Sequence, residues 1–188
     1  MAVLPRSPSA PHDDAIILAL GGNLAGDYSS PQALLEAALS AFPRAGLRVL
    51  RRSGWWRSAA WPDPTEPPYL NGVVLVETPL GPREVLMAAL TIEQAFGRAR
   101  GAPNAPRTLD LDLIAHGRQA VDETGLTLPH PRAHERRFVM GPLAEIAPDW
   151  VHPVLGRTAA ELAARASVGA DAQPIARRQV DVGQSGET

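Results

Sequence analysis

Five residues in the middle of the chain, Leu109-Asp110-Leu111-Asp112-Leu113, alternate strictly between apolar and acidic side chains. Period-two alternation belongs to a β-strand, so three leucines share a buried face while Asp110 and Asp112 share the other, roughly 7 Å apart along the backbone. The strand therefore needs a sheet with one covered face. Two like charges at that spacing repel, so something on the polar face must compensate them.

The surrounding sequence supplies the sheet. Ala15–Leu20 is an apolar run entering a tight loop at Gly21-Gly22-Asn23, which reads as a buried strand. Ser30-Pro31 opens a helix with an N-cap serine and a proline at its first position, and Leu34, Leu35, Ala38, Leu39 and Phe42 form its apolar stripe. Gly46 separates it from a strand over Arg48–Arg57. Prolines at 62, 64, 67 and 68 make Ala59–Pro68 a loop, and the β-branched Tyr69–Thr78 follows as a strand. Gly81-Pro82 opens a second helix running to about Phe96, ended by Gly97, and a loop over Arg98–Arg107 leads into the aspartate strand.

The order is βαββαβ, the split pattern of a ferredoxin-like α+β core. Arg132–Ile146 and Thr158–Ala166 are predicted as additional C-terminal helices. Residues 1–13 are expected to be a flexible arm, 14–166 a single domain, and 167–188, which lack a periodic apolar pattern, a flexible tail.

Composition narrows the chemistry. All 18 basic residues are arginine, so a Schiff-base or P-loop lysine is excluded; the absence of cysteine removes disulfides and thiolate catalysis. A net charge of -2 offers no general footprint for nucleic acid or an anionic membrane. The N-terminal residues lack the apolar region of a signal peptide, and the chain is expected to be cytoplasmic and monomeric.

By pattern alone, D-x-D is more often a solvated strand edge than a site. It also offers hard oxygen ligands to Mg²⁺, which takes its remaining ligands from water and substrate phosphates. Arg98, Arg100 and Arg107 stand just before it, and arginine forks match phosphate oxygens. His130, Arg132, His134, Arg136 and Arg137 crowd a helix start. The two histidines could be metal ligands, but no H-E-x-x-H or third ligand accompanies them, and hydrogen bonding or phosphate contact by His130 is the better reading. Gly21-Gly22-Asn23 is either a phosphate nest or a plain turn. Glu93 near the apolar face of the second helix reads as a structural ion pair, and Tyr69 and Phe138 either as core aromatics or as a stacking pair for a flat heterocycle.

These motifs, A-L-G-G-N-L at 19–24, Y-L-N-G-V-V at 69–74, P-R-T-L-D-L-D at 106–112, L-P-H-P-R at 128–132 and R-R-F-V-M-G-P-L-A-E-I-A-P-D at 136–149, together resemble the 6-hydroxymethyl-7,8-dihydropterin pyrophosphokinases of folate biosynthesis. The resemblance implies transfer of the β,γ-diphosphate of ATP to the pterin hydroxymethyl group, giving AMP. It implies that Asp110 and Asp112 hold two Mg²⁺ ions and that Asp112 helps to take the hydroxyl proton. Glu93 matches an acidic residue at the nucleotide site, Arg98, Arg107, His130 and Arg136 match nucleotide-contacting and charge-stabilising positions, with Arg98 and Arg107 counted among the catalytic residues, and Arg100 matches a loop arginine that assists transfer. Tyr69 and Phe138 match the rings that sandwich the pterin, with Asn71 and Ser58 at its edge. Ser58-Ala59 stands where the family often has threonine and proline, and Asn104 where some members carry an aromatic residue. The competing readings are a non-catalytic ferredoxin-like module that binds nucleotide or RNA, and a family member that binds ATP without turnover.

Overall fold

A strand, a helix and then a run of strands open the computed structural model, which describes residue 12 and residues 14–60, 63–97 and 108–176. Strand β1 (Ile16–Gly22) is buried along its whole length. Helix α1 (Pro31–Ala41) begins as expected: the Ser30 hydroxyl accepts the Ala33 N–H at 3.1 Å, and Leu34, Leu35, Ala38 and Leu39 face inward. A 3₁₀ turn over Phe42–Ala45 ends at Gly46, whose φ of 76° is the left-handed conformation that glycine adopts without strain.

The single strand expected over 48–57 is two strands, β2 (Arg48–Arg52) and β3 (Trp56–Ser58), both paired with β4 (Tyr69–Glu77). The break falls at Ser53, whose hydroxyl accepts the Val73 N–H at 3.0 Å and thus takes over a backbone pairing. Helix α2 (Pro82–Ala95) has the Glu84 carboxylate accepting the Gly81 N–H at 2.7 Å at its start, and Gly97 with a φ of 77° just beyond its end. The aspartate strand is β5 (Asp110–His116).

A hairpin of β6 (Val121–Glu123) and β7 (Leu126–Leu128) follows; three-residue strands carry too little alternation to be read from sequence. The helix expected from Arg132 starts later, as α3 (Arg137–Ile146), after a 3₁₀ turn over Ala133–Glu135. Arg136 is extended because the backbone around it bonds to a later segment: Val168 N–H to Glu135 O at 2.9 Å, and Arg137 N–H to Val168 O at 2.8 Å. Helix α4 (Ala159–Arg165) carries a reciprocal cap between Thr158 and Glu161. Gln173–Pro174 then forms β8, paired with β3.

The sheet runs β5-β1-β4-β3-β8, with β2 also on β4, and all its pairings are antiparallel. Both faces are covered. Leu18, Leu20, Val74, Val76, Leu111 and Leu113 pack under α1 and α2, whereas Ile17, Ala19, Val73, Leu75 and Ile114 pack against α3 and α4. This is a mixed α/β architecture around an antiparallel sheet. No helix among the described residues is long and apolar enough to cross a membrane.

Trp55 and Trp56 show how the layers are held. Trp55 just before β3 and Trp56 at its start point to opposite faces of the sheet, and each indole N–H reaches a glutamate on a different helix: Trp55 Nε1 donates to Glu36 of α1 at 2.8 Å, and Trp56 Nε1 to Glu145 of α3 at 3.0 Å. Gly141 is required under the second of these, since a Cβ there would lie 2.5 Å from the Trp56 ring.

Beyond α3, His152 is buried beside Trp150 and His134, and its Nδ1 accepts the Val154 and Leu155 N–H groups at 3.3 and 3.2 Å. Burial, and secondarily the neighbouring His134, push its pKa down to about 4. The unfolded chain then binds a proton that the folded chain refuses between pH 6.5 and 4, so this contribution is complete above 6.5 and is lost as pH falls. His152→Asn keeps an acceptor for the loop but does not titrate. Unfolding curves between pH 7 and 4 should show the unaltered protein losing on the order of 2 kcal/mol more stability than His152→Asn.

Candidate active site

The register of four strands sets out a row of residues on the face that carries α3 and α4. Asp110 pairs with Gly21, Gly21 with Asn71, and Asn71 with Trp56. Neighbouring strands lie about 4.8 Å apart, so roughly 10 Å of sheet separates the backbones of Asp110 and Asn71. The one residue between them is Gly21. A Cβ on Gly21 would come within 3.1 Å of Asn71 Oδ1, so glycine leaves that slot to the asparagine side chain. Asn71 is buried, and its amide donates to Ser58 Oγ at 3.1 Å. Tyr69, half-buried, stands opposite Ser58 on the adjoining strand.

At the other end of the row, Asp110 and Asp112 are half-buried while Leu109, Leu111 and Leu113 are buried on the opposite face, as the alternation requires. Asp112 meets the charge that compensates it: Arg136 Nη1 lies 3.5 Å and His130 Nε2 4.0 Å from Asp112 Oδ2. The Arg136 guanidinium also sits 5.7 Å above the Phe138 ring. Burial outweighs the pull of Asp112 and holds the His130 pKa below its ordinary value, with Arg136 and Arg132 adding to the depression. Its Nδ1 accepts the Arg132 N–H at 3.2 Å, so the neutral ring carries its proton on Nε2, directed at the aspartate side.

Glu93 is 1 % exposed, and its Oε1 accepts the Leu111 N–H at 2.6 Å. Where the sequence suggested an ion pair, the contact is to backbone: the carboxylate at the end of α2 holds the peptide between the two aspartates. Gly21 and Gly22 lie within β1 and have no left-handed glycine φ, so they form no phosphate nest. Asn23 instead donates to Pro67 O at 3.0 Å and ties the loop after β1 to the proline-rich loop.

His134 turns away from His130 toward His152, with ring centroids 5.9 Å apart. Among the described residues no three His, Cys, Asp or Glu side chains converge as a metal site. Asp110 and Asp112 alone are a hard-oxygen donor pair that leaves other coordination positions to water and phosphate, the set that suits Mg²⁺. Arg98, Arg100, Asn104 and Arg107 fall outside the described residues.

The arrangement places two carboxylates, with Arg136 beside Asp112, at one end of a shallow row and a buried amide flanked by a tyrosine at the other. Residues 17–148 match the family model for 7,8-dihydro-6-hydroxymethylpterin-pyrophosphokinase. The chain belongs to this family. It is 46% identical over 147 residues to the 2-amino-4-hydroxy-6-hydroxymethyldihydropteridine pyrophosphokinase of Synechocystis sp., covering 78% of this chain and 73% of that one. It is 40% identical over 148 residues to the enzyme of the same name from Methylorubrum extorquens, covering 79% of this chain and 90% of that relative. The fold resembles that of the wild-type Plasmodium falciparum HPPK-DHPS chain, with a TM-score of 0.62 at 12% identity over 80% of this chain and 42% of that one.

Trp56 and Glu145 carry no signal as site residues in the sequence, and Gly21, read there as part of a phosphate nest or a plain turn, instead clears the slot that Asn71 occupies. Each acts through a partner far along the chain. Glu93 offers a direct check of the frame. Glu93→Ala should cost about 2 kcal/mol in chemical denaturation, because it leaves a buried N–H beside the aspartates without its acceptor, and Glu93→Gln should cost less.

Proposed function

We propose that this chain transfers the β,γ-diphosphate of ATP to the hydroxymethyl oxygen of 6-hydroxymethyl-7,8-dihydropterin, releasing AMP, as a step of folate biosynthesis. Family membership and the named relatives support the activity. The single observation that supports this site for it is Asp112 set between Arg136 and His130 on the strand row that ends at Asn71.

In this reading the hydroxyl oxygen of the pterin forms a bond to the β-phosphorus of ATP. The bond from that phosphorus to the oxygen bridging the α-phosphate breaks, and AMP leaves with that oxygen. The hydroxyl proton departs toward Asp112. Asp110 and Asp112 hold two Mg²⁺ ions, which when bound neutralise charge on the ATP phosphates. Arg136 stays charged at any working pH and offsets charge developing on the transferred group, while the neutral His130 donates from Nε2 to a phosphate oxygen. Glu93, Arg98 and Arg107 serve the nucleotide, and Arg100 assists transfer from the loop before β5. Phosphoryl transfer asks little more of a protein than positioning and charge.

Tyr69 and Phe138 stack the pterin, and Asn71 with Ser58 reads its edge. A flat heterocycle with amide and amine groups needs a stacking surface and a few fixed polar atoms. The chain order and the sheet order β5-β1-β4-β2/β3 support a ferredoxin-like core, and the cysteine-free composition fits a cytoplasmic enzyme, which we take to act as a monomer. RNA binding is disfavoured by the net charge of -2.

Purified protein incubated with ATP, Mg²⁺ and 6-hydroxymethyl-7,8-dihydropterin should yield AMP and the pterin diphosphate in equal amounts by mass spectrometry, with the yield abolished by a chelator. ADP in place of AMP would refute diphosphate transfer. Asp112→Asn, which removes charge but little volume, should lower kcat by about a thousandfold while leaving the unfolding midpoint nearly unchanged; near-normal turnover would refute the role of Asp112.

A further inference from the structure

The segment after α4 touches both walls of the proposed pterin site. At its start, Val168 bonds to the backbone on either side of Arg136, through Glu135 O and the Arg137 N–H. Gly169, at a φ of 66°, lies directly under Phe138, where a Cβ would come within 2.5 Å of the ring. The Arg137 guanidinium holds the segment from inside, donating to Ala163 O at 3.2 Å and Ala172 O at 3.3 Å. At its end, Gln173 and Pro174 pair with Arg57 and Trp56, and the Ile175 N–H donates to Trp55 O at 2.8 Å. Between these anchors the Asp171 carboxylate accepts the Ala59 N–H at 2.5 Å.

That last bond lands on the residue next to Ser58, whose hydroxyl receives the Asn71 amide. Ala59 directly follows the end of β3, and neither of the strand pairings of β3 extends to it. We propose that residues 167–176 act as a strap that sets the spacing between the Phe138 wall and the Ser58–Asn71 wall, with Asp171 as the positioning residue that holds Ser58 in place by latching the Ala59 amide. This rests on the pterin-site reading above.

The bond's setting separates positioning from stability. Ala59 and Asp171 are both exposed, so water can satisfy the amide if the carboxylate is removed. The fold should therefore hardly register its loss, whereas the segment leaving Ser58 would lose the hydrogen bond that fixes the Ala59 amide. A proline at 59 offers an independent rescue, because it has no N–H to leave unlatched and fixes φ by its ring.

The test is calorimetric binding of 6-hydroxymethyl-7,8-dihydropterin and, separately, of a non-hydrolysable ATP analogue with Mg²⁺, together with thermal unfolding. The variants are Asp171→Ala, Asp171→Asn, and Ala59→Pro combined with Asp171→Ala. Asp171→Ala should weaken pterin binding about fivefold, leave nucleotide affinity within about twofold, and keep the unfolding midpoint within about 2 °C. Asp171→Asn, which retains an acceptor oxygen, and the Ala59→Pro combination should each recover most of the pterin affinity. Unchanged pterin affinity in Asp171→Ala, or equal weakening of both ligands with a lowered midpoint, would overturn the latch while leaving the function intact. Failure of the unaltered protein to bind the pterin at all would overturn the site reading and the latch with it.

Discussion

The placement of β1 between β4 and β5 is the constraint on which the rest depends. Its register sets Asp110 across from Gly21 and Gly21 across from Asn71, so the acidic and amide ends of the site belong to one strand row. Because side chains alternate, a one-residue slip of β5 would drive both aspartates into the core under α1 and α2 and turn three leucines onto the half-buried face that carries the site. The burial of Leu109, Leu111 and Leu113 on one face thus holds the carboxylates on the other. The glutamate at the end of α2 reinforces the same register by bonding the peptide between them.

A second constraint acts at the opposite edge. Trp55 and Trp56 carry large apolar bodies with one polar N–H each, and each finds its acceptor on the helix layer it faces. Glu145 also accepts the Gly54 N–H at 2.9 Å, so one carboxylate fixes both the backbone and the side chain of the turn into β3. On the other face, the Arg52 guanidinium beside Glu36 holds that carboxyl below its usual range and keeps it charged as an acceptor for Trp55. The entry to β3, the strand bearing Ser58, is therefore tied to helices on both faces.

Much of this was legible beforehand because the signals are local. Ser30 caps α1, Gly97 ends α2, Thr158 opens α4, and the D-x-D alternation makes a strand, each by interactions spanning a few residues. The failures have a common cause. Ser53 splits the expected strand because its hydroxyl bonds to Val73, and α3 starts late because Val168 captures the backbone around Arg136. Neither partner is visible from the neighbouring sequence. The histidines at 130 and 134 read as a pair but part company, one toward Asp112 and the other toward His152.

The sequence by itself determined the chemistry on offer: two carboxylates on one strand face, arginine as the sole cation, no thiol and no lysine, with family motifs naming an ATP- and pterin-dependent reaction. It could do so because side-chain identity, alternation and capping are short-range properties. Only the tertiary structure decided which of those groups meet. Arg136 rather than another arginine flanks Asp112, Glu93 binds a backbone amide, and residues after 166 close against Phe138 and Ala59. Those pairings follow from strand register and long-range packing, where the energy of a contact depends on residues far apart in the chain.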